Sequence, residues 1–545
     1  MKKKHNYIFK IAAHQNEFTQ IHQLNYETFV EEIPQHVKNE DKRLIDRFHE
    51  QNTYLICIKD KQLVGMMAVR GERPFSLDEK IGRVEDSLPI KAEKICEIRL
   101  LTVRKEYRNG RVFLGLSQLL TDYCLKRGYD MAVISGTTRE LKLYSQLGFV
   151  PFAQLTGTEE AAFQPMYLHK DIFDKVLAAK MERRQLDFLP GPVSYNDQVL
   201  HAAACKPISH RSLAFAEMFS EVKRRLCQLT LANEVQIMAG TGTLANDMVA
   251  AQLSLLQGKG LILVNGEFGE RIKDHASRMN LSFTTLEKEW GQPFSEEEIT
   301  KCMNPDINWL WAVHSETSSG VLNDLNLLKK ITTERNVKLC VDCISSIGGV
   351  HIDLRDVYLA TGVSGKAIGA LTGLSFVFHN EPIVPSDRLP RYLDLGLYTA
   401  NNSIPFSHSS NLVNALLEAL KNVDQQRFDS IHRTYETIYR TLQATGLEMV
   451  AAKEYASPVI ITIQLPDNLS SRNIGDIMRS QGYILHYESN YLQRRNWIQI
   501  ACIGEHSELT VEKMLQTLID VLDYESTLST SYCNKREALH DGRVV

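Results

Sequence analysis

The sequence lacks a long apolar run, a secretory signal and a strong net charge. Its 545 residues contain no stretch of eighteen apolar side chains, so no transmembrane helix is expected. The opening residues, MKKKHNYIFK, are basic but have no apolar core of the kind that secretory signals carry. A formal net charge of -4, from 62 basic and 66 acidic side chains, gives no electrostatic case for binding nucleic acid or an anionic membrane.

The sequence also lacks a cysteine framework. Its 10 cysteines are scattered, and the CxxC formed by Cys340 and Cys343 lies in a strand-like segment without a second CxxC. Core thiols in a reducing cytoplasm are therefore expected, and no metal site is predicted. The length exceeds what one hydrophobic core supports, so the chain is expected to form several domains.

One lysine has a sequence environment unlike that of an ordinary solvated lysine. Lys366 lies between Gly365 and Ala367, with few carboxylates nearby, a setting that lowers the pKa of an amine and permits a Schiff base. Asp342 ends an apolar strand upstream, where a carboxylate can pair with a protonated pyridine nitrogen. This pair predicts a pyridoxal phosphate (PLP) site, with both residues in catalytic roles.

Residues 1–183 read as one α/β domain. Helical apolar spacing marks residues 18–29 and 112–126, and strand patterns mark residues 53–57, 63–69, 95–103 and 130–135. A charged loop, RKEYRNGR, precedes the second helix. A helix N-terminus with arginine beside it can hold the pyrophosphate of coenzyme A or a phosphopantetheine arm.

This order of elements resembles the GNAT acyltransferase fold. The opening NYETFVEEIPQH is also similar to the acyl-homoserine-lactone and N-acyl amino acid synthase branch, whose members often take the acyl group from acyl carrier protein. The resemblance implies Glu97 as general base, Tyr144 as the acid that protonates the leaving thiolate, and Arg108, Gly110 and Arg111 as the phosphate loop. The glycine is displaced from the usual GNAT loop pattern, so a degenerate domain kept for packing or regulation stays open.

Residues 184–524 alternate strands and helices as a mostly parallel sheet does, after an extended entry, FLPGPV. A strand ends at Ala239 and runs through Gly240-Thr241-Gly242-Thr243 into a helix, which is a ready phosphate cradle. Phe268 follows the next strand and could lie flat on a pyridine ring. Hydroxyl side chains around Thr317 follow another strand, at the edge where open α/β sheets bind ligands.

Seven short motifs follow one another along this part of the chain: LPGPV, SHRS, AGTGT, VNGEFGER, HSETSSGVLN, VDCISSIGG and SGK. Together they resemble the class V, fold-type I PLP aminotransferases, in particular the alanine–glyoxylate, serine–pyruvate and 2-aminoethylphosphonate–pyruvate group. The resemblance implies a seven-stranded, mostly parallel large domain, a small α+β domain from about residue 430, and a homodimer. It implies these cofactor contacts: Thr241, Gly242 and Thr243 on the phosphate, Phe268 on the ring, Thr317 near the ring hydroxyl, Asp342 on the ring nitrogen, Lys366 in the Schiff base, and Ser403 across the subunit interface.

The sequence departs from that family where substrate is held. Gln499 stands in the strand position of the arginine that grips the substrate carboxylate or phosphonate, and glutamine carries no positive charge. Either Arg494 or Arg495 reaches in from the preceding loop, or the substrate lacks the usual α-carboxylate. These three residues are the predicted substrate contacts.

The sequence thus predicts a cytoplasmic bifunctional enzyme. A PLP-dependent transaminase moves an amino group between an amine or amino acid and a keto or aldehyde acceptor. A GNAT-like domain acylates an amine, with acyl-CoA or acyl carrier protein as donor. The alternatives are a PLP-dependent decarboxylase or lyase with a degenerate GNAT domain, and a non-catalytic scaffold. Residues 525–545 are polar and are expected to form a mobile or loosely docked tail.

Overall fold

A computed structural model describes residues 6–33, 36–158, 161–176 and 185–540. The chain divides into two compact units, and the sequence-predicted boundary at 183/184 lies outside the described residues. The N-terminal unit comprises Met1–Gln185 together with Asp476–Gly482 and Thr517–Val545, and the aminotransferase-like unit comprises the remainder. Among the described helices, none is long and apolar enough to cross a membrane.

The N-terminal unit is built on one mixed sheet. Its strand order is β1-β2-β3-β4-β5-β8-β6, and β7 pairs with β8. The strands are β1 (Ile8–Ile11), β2 (Thr53–Lys59), β3 (Gln62–Arg70), β4 (Ile95–Val103), β5 (Met131–Thr137), β6 (Val150–Pro151), β7 (Thr156–Thr158) and β8 (Ala161–His169); the helices are α1 (Gln15–Tyr26), α2 (Asp78–Ile81), α3 (Val84–Ser87), α4 (Arg111–Arg127), α5 (Leu141–Gln146) and α6 (Lys170–Val176).

Strands β4 and β5 separate part-way along their length. They pair in parallel from Ile95 and Met131 only as far as Ile98 and Ile134. Beyond that point β4 stays paired with β3, and β5 stays paired with β8. Leu100 has a φ of 53°, and the β3–β4 register shifts beside it, as at a β-bulge. The sheet therefore opens between two adjacent strands.

Helix α4 covers this sheet with one apolar face. Val112, Leu116 and Leu119 recur at helical spacing and are buried against the strands. Each such side chain stabilises the fold by about 1.5–3 kcal/mol when fully buried. Gly110 precedes the helix and Gly128 follows it, both with positive φ, a backbone conformation that glycine adopts without strain.

The second unit holds a seven-stranded sheet in the order β10-β18-β17-β16-β13-β11-β12. Only β18 runs against its neighbours in this sheet. The strands are β9 (Leu186–Phe188), β10 (Glu234–Ala239), β11 (Lys259–Val264), β12 (Phe283–Glu287), β13 (Ile307–Val313), β14 (Ser315–Glu316), β15 (Val321–Leu322), β16 (Lys338–Asp342), β17 (Leu359–Val363), β18 (Leu374–His379), β19 (Glu448–Met449), β20 (Ile460–Gln464), β21 (Tyr483–Leu485) and β22 (Trp497–Ala501).

Helices cover both faces of that sheet. Both faces of its strands carry apolar side chains, and each face needs a covering layer. In β13, Trp309 and Trp311 pack into one core, whereas Leu310 and Ala312 pack into the core on the other face. The helices are α7 (Asp197–Ala203), α8 (Leu213–Thr230), α9 (Gly242–Leu253), α10 (Glu267–Arg278), α11 (Glu296–Cys302), α12 (Leu325–Glu334), α13 (Leu395–Ala400), α14 (Ser410–Leu420), α15 (Gln425–Gln443), α16 (Ser471–Ser480), α17 (Asn490–Arg495) and α18 (Glu508–His540). The predicted mostly parallel large domain is confirmed.

A smaller α+β region follows helix α15. Strands β19, β20 and β22 form an antiparallel sheet, and β21 pairs in parallel with β9. This region therefore includes β9, a strand from the start of the unit. Its antiparallel sheet matches the predicted small domain.

The predicted polar tail is wrong at its start, because helix α18 runs without a break through residue 525 to His540. Glu525 is buried, and its carboxylate pairs with Lys10 of β1 at 2.5 Å and with His14 at 3.0 Å. Lys10 also pairs with Glu17 of α1 at 2.8 Å, and Tyr524 donates a hydrogen bond to Glu17 at 2.9 Å. The polar composition of this segment did not predict a docked helix. The partners that neutralise its buried charges lie some five hundred positions away in the sequence.

We expect Lys10→Met to destabilise the N-terminal unit by about 3–5 kcal/mol, because Glu17 would stay buried without a cation and Glu525 would keep only His14 as a basic partner. Lys61→Met is the matched control. Lys61 pairs with Asp523 on the same helix, but both side chains are about half exposed. Its loss should cost less than about 1 kcal/mol.

Native-state hydrogen exchange of the β1 and α18 peptides measures the difference, since all four tryptophans lie in the other unit. Equal protection in the two variants would contradict this account of the network.

Candidate functional site

Lys366 lies in the turn after β17, at the carboxyl end of the parallel strands. Backbone from the FLPGPV segment crosses its side chain, and a Cβ on Gly191 would come within 3.0 Å of the Lys366 Cδ. Burial lowers the pKa of the amine to about 8, with Asp342 acting against the shift and Arg271 acting with it. The side chain is thus a far better nucleophile at neutral pH than a surface lysine.

Asp342 is the last residue of β16 and is buried. Asn246 on α9 donates to Oδ2 at 2.8 Å, and the Ile344 amide donates to Oδ1 at 2.9 Å. Burial raises the pKa of this carboxyl, whereas the two hydrogen bonds and the charge of Lys366 oppose the rise. Among the described residues, no cation lies within ion-pair distance of Asp342. The arrangement leaves a buried carboxylate without a contacting positive charge.

The Gly-Thr loop lies where β10 turns into α9. Thr241 is the N-cap residue of α9, and Thr241 and Thr243 are both exposed. A Cβ on Gly242 would meet the Ile344 Cδ1 at 2.5 Å, so a larger residue there would require Ile344 to shift. Within the described structure, the Gly242 and Thr243 amides have no protein acceptor, whereas the Leu244 amide donates to the Thr241 carbonyl at 3.0 Å. The loop therefore presents donors that suit a phosphate.

Phe268 lies in the first turn of α10, and a buried carboxylate caps that helix. Glu316 accepts hydrogen bonds from the Phe268 and Gly269 amides at 3.3 and 3.0 Å, and Ser318 donates to it as well. Burial raises the pKa of Glu316, and these hydrogen bonds counteract that rise. Neither Glu316 nor Asn246 was identified from the sequence, although Asn246 lies one turn after Gly242.

Thr317 lies beside this group, and its hydroxyl donates to Ser345 Oγ at 2.5 Å. Ser403, by contrast, is fully buried within its own subunit. Its hydroxyl donates to Gln236 Oε1 at 2.5 Å, and its carbonyl accepts a hydrogen bond from His408. The hydroxyl is thus already used within its own chain, and the contact of Ser403 with a second subunit stays a prediction.

Gln499 does not face a substrate. It is fully buried, and its amide nitrogen donates to the carbonyls of Thr317 and Ser318 and to Thr462 Oγ1 at 2.6–3.0 Å. Its Oε1 accepts a hydrogen bond from His486 Nδ1 at 2.8 Å. The geometry gives the predicted substrate contact no support, because the amide already joins three segments of the fold. His486, which the sequence analysis missed, is the partly exposed group there, and burial lowers its pKa.

Arg494 and Arg495 do not replace the missing guanidinium. Both are exposed at the end of α17. Arg495 lies on the rings of Trp290 and Trp497, with 4.0 and 5.0 Å from its guanidinium carbon to the ring centroids. A cation–π sandwich of this kind holds the side chain on the surface. The structure does not support either arginine as a substrate contact.

An apolar cavity of about 110 Å³ lies in the N-terminal unit. Its walls come from α4 and from the stretch over which β4 and β5 are still paired, and they are completed by Leu147, Phe149, Leu168, Lys170 and Phe173. Tyr144 on α5 packs edge-on against Phe149, which lines the cavity. Burial raises the pKa of Tyr144, with a hydrogen bond to Thr137 opposing the shift. The phenol is thus protonated at neutral pH and can donate a proton.

Glu97 is not positioned as a general base. It is buried, and both carboxylate oxygens accept hydrogen bonds, from the Ser76 amide at 2.8 Å, the Ser76 hydroxyl at 2.5 Å and the Leu77 amide at 3.1 Å. The geometry gives the predicted catalytic role no support, since the carboxylate instead fixes the loop before α2. The strand pattern located Glu97 correctly but could not reveal these partners.

Part of the loop before α4 already binds other groups of the protein. Arg108 binds Glu32 through two contacts of 2.7 Å and donates to the Val103 carbonyl at 2.8 Å. Gly110 caps the helix, and Arg111 is exposed. A phosphate arriving at this helix would therefore meet Arg111 directly and would compete with Glu32 for Arg108.

Comparison with known proteins agrees with this division. Residues 20–170 match the family model of N-acyl amino acid synthase FeeM, and residues 196–386 match that of aminotransferase class V. The soluble hydrogenase 42 kDa subunit of Anabaena cylindrica is 30% identical over 324 residues, which cover 55% of this chain and 83% of that protein. The chain belongs to the class-V aminotransferases.

Other relatives of this class-V aminotransferase carry transaminase names. The 2-aminoethylphosphonate–pyruvate transaminase of Pseudomonas aeruginosa is 26% identical over 344 residues, covering 59% of this chain and 92% of that protein. The crystal structure of an alanine–glyoxylate aminotransferase from Nostoc sp. superposes with a TM-score of 0.56 at 26% identity, covering 63% and 96% of the two chains. Both predicted resemblances are confirmed, and the chain is a bifunctional enzyme.

PLP is the cofactor expected of this family, and the residues present fit it. The buried Asp342 carboxylate matches a protonated ring nitrogen, and the first amides of α9 match a phosphate. The lowered pKa of Lys366 matches an amine that attacks an aldehyde.

We expect the Lys366 amine of the cofactor-free protein to titrate near pH 8. Acetic anhydride modifies only the neutral amine, so labelling should be lost as pH falls through that value. At pH 7 about a tenth of Lys366 would be neutral, far more than for an ordinary lysine. Lys330 is the internal reference, because its partner Glu296 raises its pKa above 10.5.

Peptide mass spectrometry across pH 6–11 gives both midpoints. Asp342→Asn should move the Lys366 midpoint to lower pH, because Asp342 favours the charged amine. Coincident titration of Lys366 and Lys330 would contradict the site described here.

Proposed function

We propose that the chain makes an amine by PLP-dependent amino transfer and acylates it in its N-terminal unit. The observation that carries the first half is the Lys366 amine, with a pKa of about 8, at the same strand ends as the buried Asp342. The second half is supported by the apolar cavity, whose lining residue Phe149 packs against the protonated Tyr144. One polypeptide then supplies the amine and consumes it.

In the transaminase half, the cofactor supplies the electron sink that stabilises charge at the substrate carbon. Asp342 holds the ring nitrogen protonated, and Asn246 fixes the orientation of that carboxylate. The α9 amides with Thr241 and Thr243 bind the phosphate, while Phe268, on a helix capped by Glu316, covers the ring. Thr317 lies near the ring hydroxyl. The Lys366 Nζ would move a proton from the substrate carbon to the cofactor carbon in one half-reaction, and from the cofactor carbon to the acceptor carbon in the other.

We propose that the preferred amino donor lacks a carboxylate on its reacting carbon. Gln499 is neutral and has no hydrogen-bonding capacity left for a substrate carboxylate. His486 beside it has a lowered pKa, so this wall carries no charge at neutral pH. Arg271 is the cation whose charge acts on Lys366, and it is exposed above the Phe268 ring. An anionic group farther along the donor would find a partner there.

In the acyltransferase half, the cavity takes the acyl chain and Tyr144 protonates the leaving thiolate. The donor is acyl-CoA or acyl carrier protein, with its phosphate at the N-terminus of α4 beside Gly110 and Arg111. Since Glu97 is committed to Ser76 and Leu77, the attacking amine must lose its proton to another base or bind already neutral.

We also propose a cytoplasmic homodimer formed through the aminotransferase unit. Large apolar side chains stay exposed on that unit, led by Leu213 at 83% and Val384 at 74%. A partner covers such side chains where they form one contiguous patch. Asn401 and Asn402, exposed next to the buried Ser403, are the side chains in that segment that can reach a second subunit.

The transaminase half is tested with the full-length holoenzyme and single amino donors. We expect 2-aminoethylphosphonate to convert the cofactor to its amine form, seen as an absorbance change, and alanine to react about 10- to 100-fold more slowly. That range corresponds to one missing charge-assisted hydrogen bond. Equal rates would contradict the proposed donor class. Carbon dioxide release without amino transfer would favour a decarboxylase, and an inert cofactor would favour a scaffold.

The coupling is tested with decanoyl-CoA and either preformed 2-aminoethylphosphonate or phosphonoacetaldehyde with an amino donor. Lys366→Ala should abolish N-acyl product from the aldehyde but not from the amine. Tyr144→Phe should lower both by about 10²- to 10⁴-fold, the usual value of a general acid. Lys330→Ala and Tyr123→Phe are the matched controls. Product from the aldehyde in Lys366→Ala would contradict the proposed order of the two steps.

A further inference from the structure

Two cysteines face each other across the wall of the apolar cavity. Cys96 on β4 and Cys124 on α4 both line it, and their sulfur atoms are 3.8 Å apart. Cys96 is completely buried, and Cys124 is partly exposed. The two residues therefore join the sheet to the helix that forms the opposite wall.

We propose that Cys96 and Cys124 form a reversible disulfide that closes the cavity to an acyl chain. The role of the cavity rests on the proposed function, whereas the disulfide itself does not. A disulfide requires a sulfur–sulfur distance of about 2 Å, so the two atoms must approach by roughly a further 2 Å. In a cavity of about 110 Å³, drawing α4 toward β4 by part of that distance removes space that an alkyl chain needs.

The exchange needs a small-molecule disulfide, such as glutathione disulfide, as oxidant. The Cys124 thiolate attacks one glutathione sulfur and releases one glutathione thiolate, which takes up a proton. Cys96 then attacks the mixed disulfide at the Cys124 sulfur and releases the second glutathione. Two protein thiols lose two electrons, and glutathione disulfide gains them.

The order of attack follows from the surroundings of the two thiols. The hydrogen bond with Cys124 and burial both raise the pKa of Cys96, so Cys96 is the poorer initial nucleophile. Cys124 is the sulfur that an incoming disulfide can reach. The first step therefore occurs at the partly exposed residue, and the second step occurs within van der Waals distance.

A bound acyl chain and the disulfide should exclude each other. The disulfide must therefore lower the affinity for the acyl chain by the same factor by which the bound chain lowers the equilibrium constant for disulfide formation. The test equilibrates the full-length holoenzyme in glutathione buffers of graded redox ratio. Peptide mapping quantifies the Cys96–Cys124 crosslink, and calorimetry measures the binding of dodecanoate. We expect oxidation to weaken dodecanoate binding by at least about tenfold, within the usual range of coupling between sites. Saturating dodecanoate should shift the redox midpoint by the same factor.

Cys96→Ser and Cys124→Ser should each bind dodecanoate equally in reducing and oxidising buffer. Cys205→Ser, which removes an exposed thiol of the other unit, should respond as the unaltered chain does. No Cys96–Cys124 crosslink at the oxidising limit would overturn the inference, as would a crosslink that leaves dodecanoate affinity unchanged. If dodecanoate failed to bind the reduced chain, the acyl-cavity proposal would fall, and the closing role with it, while the peptide map would still decide the disulfide.

Discussion

The aminotransferase unit depends on holding a lysine amine and a carboxylate away from water near the same strand ends. Burial works against the charged form of each, lowering the pKa of Lys366 to about 8 and raising that of Asp342. Each charge favours the other, yet no ion pair joins them in the described part of the chain. A protonated heteroaromatic ring placed between them would satisfy the carboxylate and present an aldehyde to the amine. The parallel sheet and helix α9 serve to keep this geometry.

The sequence predicted features that follow from short-range pattern. Alternation in β13, the Gly-Thr loop before α9 and the small residues around Lys366 express local constraints, and each lies where the pattern placed it. The turn of a parallel strand into a helix fixes both the donors and the place where a ligand binds. Fold class and the principal site residues of the larger unit were therefore accessible from the sequence.

Features that depend on distant partners were not accessible. Glu97 and Gln499 are the residue types expected at a site, but Ser76 and the carbonyls of Thr317 and Ser318 consume their hydrogen bonds. Ser403 was assigned to an interface, yet it binds Gln236 within its own chain. The polar residues after 525 looked like a tail because their partner, Lys10, lies at the other end of the sequence. In each case the nearby sequence gives no sign of the group that completes the interaction.

The N-terminal unit has two features with different physical origins, a buried charge network and an apolar cavity. A buried charge network ties β1 and α1 to helix α18, so the unit is not complete without the C-terminal end of the chain. The paired part of β4 and β5 and the covering helix α4 enclose an apolar space between them. The folded N-terminal unit therefore includes chain that follows the aminotransferase unit in the sequence.

Borohydride reduction of the full-length protein after incubation with pyridoxal phosphate tests the central claim most directly. Peptide mapping should then locate a stable pyridoxyl group on Lys366, with Lys366→Arg carrying none. A label on another lysine, or no label at all, would contradict the account.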